Sequence, residues 1–177
     1  MSLIVRPATL TEVPALSVLI VRSARDLSRG YYTAAEAEAA IRHVFGVDTQ
    51  LVRDGSYLVA ELDGELAGCG GWSRRRTLYG GDQRPMGGDD LLDPARDAAK
   101  VRAFFVAPEA ARRGVGRAIL AACEGGAMAA GFTRFELMAT LPGVPFYAAL
   151  GYVAEEAVTD VLPDGTPLRF VRMTRTP

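Results

Sequence analysis

The stretch that most limits how this chain can fold is residues 101–120, VRAFFVAPEAARRGVGRAIL. An apolar run ends at Val106, Pro108 and Glu109 open a loop, and Gly114-Val115-Gly116 leads into an alanine-rich helix that reaches about residue 130. A strand that stops just before a glycine-led helix has a chemical consequence. The first amides of a helix lack internal partners, and the helix dipole adds partial positive charge at that end. Glycines let an anion approach the backbone with no side chain in the way. Arg112, Arg113 and Arg117 surround the turn, against Glu109 alone, so the segment is locally basic. It suits a phosphate or pyrophosphate. Two familiar phosphate loops do not fit: no Gly-Lys-Ser/Thr follows, and the glycines have the wrong spacing and come too late for a dinucleotide fingerprint.

Such a site must be local, because the chain as a whole has a formal charge of -1 from 20 basic and 21 acidic residues. No overall field attracts nucleic acid or an anionic membrane. The 177 residues fit a single domain, 1–177, and 49% hydrophobic with 23% charged residues is ordinary globular composition. Cys69 and Cys123 stand far apart in apolar surroundings, without metal-ligand spacing, and read as buried thiols rather than a disulfide or a metal site. The opening MSLIVRPATLTEV lacks the basic start and long apolar stretch of a secretory signal. No run approaches the roughly 18 apolar residues of a membrane span. The expectation is a soluble cytoplasmic protein.

Elsewhere the patterns are alternation and helical spacing. Strands are expected at 3–6, 57–61, 66–72, 100–106, 134–139, 152–162 and 168–173, with Asp63-Gly64 and Pro163-Asp164-Gly165 as turns. Val13, Leu16, Leu19 and Ile20 give one helix an apolar face after a Thr9 or Thr11 cap. Thr33 and Glu36 form a capping-box pattern for a second helix, to about Val44, and 145–150 is a short helix. This succession indicates one mixed sheet covered by helices.

The run V-x-P-E-x-x-R-R-G-x-G-R-A-x-L resembles the acyl-CoA-binding motif of the GNAT acetyltransferase superfamily. Its Q/R-x-x-G-x-G/A loop has Ala111 in the first position, with Arg112 standing in for the missing side chain; the register starting at Arg113 matches the letters but sits wrongly relative to Pro108. Residues 136–153, ELMATLPGVPFYAALGYV, are similar to the family's next strand and helix, with Tyr147, Gly151 and Tyr152 matching its Tyr-x-x-x-Gly-Phe/Tyr signature and Thr140 in place of the usual Asn.

The resemblance implies the GNAT fold, an α/β (α+β) architecture with a mixed, mostly antiparallel central sheet flanked by helices. It implies an N-acetyltransferase moving acetyl from acetyl-CoA, without a metal, to a primary amine of a small molecule or peptide by direct attack. A non-catalytic CoA-binding sensor and a transferase using another acyl-CoA are the alternatives. CoA contacts would come from Phe104, Phe105 and Val106, with the Phe105 or Val106 amide on the thioester carbonyl, and from Ala111, Arg112, Arg113, Gly114, Val115, Gly116, Arg117 and Ala118. Thr140 and Tyr147 would add contacts, Tyr147 as general acid for the CoA sulfur. Glu136 is the favoured base, with Glu61, Asp89, Asp90 and His43 as other candidates and a water relay as a substitute for all of them. Tyr31, its neighbour Tyr32, Trp72 and Arg74 are candidates for the acceptor wall; an arginine there would suit an acidic acceptor, whereas a solvated edge would also account for Arg74. Alternation sends Arg74 and Arg76 to one face and Arg75 to the other. The 80–97 loop is a lid or a disordered excursion, and the terminal strands could pair between the subunits of a homodimer.

Overall fold

In the computed structural model, residues 1–84 and 89–177 are described. The strands are β1 (Leu3–Pro7), β2 (Tyr57–Leu62), β3 (Glu65–Ser73), β4 (Ala99–Val106), β5 (Phe135–Thr140), β6 (Val153–Val161) and β7 (Pro167–Arg175). The helices are α1 (Val13–Leu27), α2 (Ala34–His43), α3 (Thr49–Arg53), α4 (Val115–Ala129) and α5 (Val144–Ala149). One seven-stranded sheet runs in the order β1-β2-β3-β4-β5-β7-β6. Every neighbouring pair is antiparallel except β4 and β5. The fold is the mixed, mostly antiparallel α/β arrangement that the sequence implies.

Local chemistry explains most of the boundaries. Thr33 caps α2: its hydroxyl accepts from the Glu36 amide at 3.1 Å while Glu36 accepts from the Thr33 amide at 2.8 Å. Asp63 and Gly64 both take positive φ, 53° and 86°, as a two-residue hairpin turn between β2 and β3 demands. On α1 the buried stripe is Leu16, Leu19 and Ile20, as their spacing predicts. The structure adds α3, capped by Asp48 on the Leu51 amide at 3.2 Å; five residues are too few for a periodic signal. Helix α4 begins at Val115 rather than at Arg112 or Arg113, because Arg112 and Gly114 both adopt left-handed backbone, φ 64° and 85°.

The two faces of the sheet carry different helices. A Cβ on Gly68 would point at Ile119 and Val115 of α4, whereas one on Gly71 would point at Leu51 of α3. Helix α1 packs on β4, and α5 lies beside α4, where Phe146 approaches Gly116. Both cysteines are free and buried, as their apolar surroundings suggested. Among the described residues, no helix is long and apolar enough to cross a membrane.

Candidate active site

The site begins as a defect in the sheet. Phe105 pairs with Cys69 and Arg102 with Gly71, which leaves Gly70 facing both Ala103 and Phe104. This is a bulge, and its extra residue, Ala103, has a φ of 49°. The insertion shifts the phase of β4 by one residue. Phe104 therefore turns to the α4–α5 face, against Phe146 (5.9 Å) and Tyr147 (6.1 Å), and Phe105 to the other face, against Phe45 (5.5 Å). Gly70 is required beneath Phe104: a Cβ there would lie 2.4 Å from the ring.

The second element is a split. β4 and β5 pair only from Ala99 to Val101 against Phe135 to Leu137; beyond that β5 follows β7 while β4 follows β3. A cavity of about 870 Å3 opens in the gap and reaches both faces. Phe104, Phe105, Val106, Met138, Thr140 and Tyr147 line it.

At one end of the cavity lies the glycine-led turn, lined by Ala111, Arg112, Gly114, Val115, Gly116 and Arg117. The first bond inside α4 is donated by the Ala118 amide to the Gly114 carbonyl at 3.0 Å, so the amides of Val115, Gly116 and Arg117 have no helical acceptor. No side chain screens them at Gly114, whose Cβ position is open, or at Gly116, where a Cβ would sit 3.1 Å from Phe146. These amides and the exposed Arg112 and Arg117 fit a diphosphate group. Arg113 and Ala118 fall outside the lining, and Arg113 reaches instead toward Asp63 at 3.8 Å.

Tyr147 sits on α5 between Phe146 (5.0 Å) and Tyr152 (5.6 Å). Burial, with the Cys123 thiol nearby, pushes its phenol well above the ordinary range, so at neutral pH the group is a proton donor. Tyr152 serves the scaffold instead, donating to Glu124 at 2.9 Å, while Glu124 pairs with Arg175 at 2.7 Å. Gly151 has a φ of 93° and turns the chain from α5 into that tyrosine.

The remaining candidates divide between the cavity and the scaffold. Tyr31 lines the cavity. Tyr32 instead ties elements together, donating to the Arg169 carbonyl at 2.5 Å and accepting from the Leu141 amide at 3.0 Å. Glu136 lies below the split, held by Lys100 at 2.5 Å and Arg172 at 3.4 Å, and does not reach the cavity. Trp72 is buried in the core against Phe132 (6.3 Å) and beside Gly126, and Arg74 stacks over it at 5.4 Å; neither lines the cavity. Their place just after a strand suggested an acceptor wall, but the missing side chain of Gly126 leaves the hollow in which Trp72 packs. Arg75 pairs with Asp54 at 2.8 Å, whereas Arg74 and Arg76 are exposed.

The alternative bases lie away from the cavity. Glu61 accepts from Arg6, Asp89 caps Thr77, His43 faces Asp164 at 3.6 Å, and Asp90 is exposed. Among the described residues no aspartate, glutamate or histidine lines the cavity. Part of the 80–97 loop, residues 85–88, lies outside the described residues; Gly80 and Gly81 line the cavity and Leu91 bridges to Arg75.

Sequence reasoning missed Phe45, Tyr79 and Phe170, which reach the cavity from three separate segments. Nothing local marks them, since only the folded sheet brings them together.

A seven-stranded sheet with a bulged β4, a split from β5 and a helix N-terminus at the gap defines the fold class. The acetyltransferase (GNAT) family matches residues 21–152, and the chain belongs to that family. Among solved structures, a GCN5-related N-acetyltransferase from Rhodopseudomonas palustris is similar over 100% of this chain and 97% of its own, with a TM-score of 0.74 and 22% identity. The PaiA N-acetyltransferase from Thermoplasma acidophilum, solved in complex with coenzyme A, matches 100% of both chains with a TM-score of 0.67 and 15% identity. A ribosomal-protein-alanine N-acetyltransferase from Brucella melitensis covers 98% of this chain and 99% of its own, with a TM-score of 0.63 and 18% identity. No curated protein sequence matches significantly.

Proposed function

We propose that the protein transfers an acetyl group from acetyl-CoA to a primary amine by direct attack. One observation carries this reading: the unpaired amides of Val115, Gly116 and Arg117 open onto a cavity in the β4–β5 gap that Tyr147 also lines. A diphosphate at those amides would let the attached arm run along Phe104 to Val106, which leads its thioester toward Tyr147. That the Thermoplasma acidophilum relative was solved with coenzyme A agrees with this.

The residues divide the work as follows. The amides and arginines of the turn hold the diphosphate. The backbone amide of Phe105 or Val106 polarises the thioester carbonyl and steadies the charge that develops on its oxygen. Tyr147 donates its proton to the departing sulfur. With no carboxylate or imidazole among the described lining residues, the amine arrives as its free base or loses its proton through water. Glu136 has no part in this chemistry.

The test combines titration and turnover. Replacing Gly114 and Gly116 with valine should abolish CoA binding by calorimetry while the circular dichroism spectrum stays native; unchanged affinity contradicts the diphosphate seat. Thiol release from acetyl-CoA in the presence of amines then separates a transferase from a sensor that only binds.

A further inference from the structure

The half of the cavity away from the glycine turn has an unusual wall. Leu27 and Tyr31 from the end of α1 and its following loop, Val44 and Phe45 after α2, Tyr79, and Phe170 of β7 line it. The aromatic groups support one another: Tyr79 packs on Phe170 at 5.2 Å, and Phe45 on Phe105 at 5.5 Å. The hydroxyl groups here belong to Ser23, Ser28, Tyr31 and Tyr79.

Charge is nearly absent from this half. No carboxylate or histidine among the described residues lines it, and the cation that does, Arg102, is already engaged. Arg102 pairs with Asp48 at 2.6 Å and donates to the carbonyls of Gly80 at 2.9 Å and Thr77 at 3.2 Å. Arg84 covers the Tyr79 ring at 4.2 Å and is neutralised by Asp160, to which the Tyr79 hydroxyl also donates at 3.1 Å.

We infer that the acceptor is a primary amine on an uncharged, apolar body, such as an aromatic ring on a short chain, and that Phe45, Tyr79 and Phe170 set this preference. The inference rests on the acetyl-transfer reading above and narrows it. A carboxylate on the acceptor would enter this wall without a partner, which is strongly disfavoured, and a second ammonium would find ring faces alone, of which that of Tyr79 is already taken by Arg84. A ring gains by leaving water and by edge contacts with the aromatic side chains. The same wall helps the chemistry, because an apolar surrounding disfavours the ammonium form and so delivers the neutral nucleophile that no side-chain base supplies. An amino acid with a free carboxylate, which Arg74 would have suited, is excluded: that guanidinium stacks on Trp72, away from the cavity.

The test uses the full chain with acetyl-CoA and reads thiol release with 2-phenylethylamine, glutamate and putrescine. The kcat/KM for 2-phenylethylamine should exceed those for glutamate and putrescine by at least about 30-fold. Tyr31→Glu, at an exposed position that tolerates charge, should lower kcat/KM for 2-phenylethylamine about tenfold, raise it for putrescine and leave CoA affinity unchanged. Equal or better use of glutamate or putrescine by the unaltered protein overturns the inference, and so does a Tyr31→Glu variant with unchanged selectivity. If no amine is turned over, the transfer reading fails and the wall is read by binding to CoA-saturated protein. A rise in Tm with 2-phenylethylamine and none with glutamate supports the inference; no rise with 2-phenylethylamine overturns it.

Discussion

The Tyr57 hydroxyl donates a 2.8 Å hydrogen bond to the carbonyl oxygen of Ala103. Tyr57 is on β2 and Ala103 is the extra residue in β4, so the bond crosses β3 to reach a carbonyl that the bulge has turned out of its ladder. Tyr57 is fully buried, and both burial and the nearby Cys69 thiol push its phenol upward, which keeps it a donor.

Tyr57→Phe should therefore destabilise the fold by about 1 kcal/mol, since it removes the hydrogen bond to a part-buried carbonyl. It should also lower kcat, because Phe104 and Phe105 hang from that bulge. Urea denaturation and steady-state kinetics measure the two effects, and an unchanged kcat would separate the bulge from catalysis.

Gly70→Ala puts a Cβ 2.4 Å from the Phe104 ring. The ring must swing into the cavity or the strands must part. The cost should be about 1–3 kcal/mol of stability, with weaker acetyl-CoA binding. Thermal melting and calorimetric titration check both.

Tyr147→Phe keeps the ring packing on Phe104, Phe146 and Tyr152 and removes only the hydroxyl, with the proton it would donate. The expected result is a loss of about 100-fold in kcat with little change in acetyl-CoA affinity. The phenol is pushed up, so its acidic form persists as pH rises; the unaltered enzyme should show no alkaline fall in kcat from this group below about pH 10. A fall with a midpoint near about 8, well under the ordinary phenol range, that vanishes in Tyr147→Phe would contradict that assignment.

Glu136→Gln tests the carboxylate that its place on a strand beside the expected cleft favoured as base. It should reduce stability through Lys100 and Arg172 and leave the pH profile of kcat/KM unmoved. Loss of the acid limb in this variant would restore Glu136 to the chemistry.

Acid should weaken the fold through the Glu12 cluster. The Arg6 guanidinium, aided by hydrogen bonds from Thr9, holds the Glu12 carboxyl at about 2, against 4.5 ordinarily. A depressed carboxylate gives stability that is present above 4.5 and lost as pH falls toward 2. Thermal melts of the unaltered protein should therefore fall through that window, and those of Glu12→Gln should fall less steeply.

How much of this was visible in the chain can be judged residue by residue. The turn at Gly114 and the helix after it were legible because such a turn is built from consecutive residues. Tyr147 was singled out only because Tyr147, Gly151 and Tyr152 match a signature of the family that the sequence resembles. Glu136, Trp72 and Arg74 pointed to the site from sequence, yet all three lie off the cavity for one reason: each is near a strand position facing the expected cleft, and strand neighbours do not reveal which partner a side chain finds. Glu136 found Lys100 and Arg172, and Trp72 found the space left by Gly126.

The amino-acid order alone determined the strands, the longer helices, the hairpin turns and the glycine-led helix start, because these depend on contacts between residues a few positions apart. Tertiary structure decided the rest. The bulge at Ala103, the parting of β4 from β5, and the apolar wall of Phe45, Tyr79 and Phe170 depend on which distant segments pair across the sheet. That choice is made by the packing of the whole core, and no local pattern encodes it.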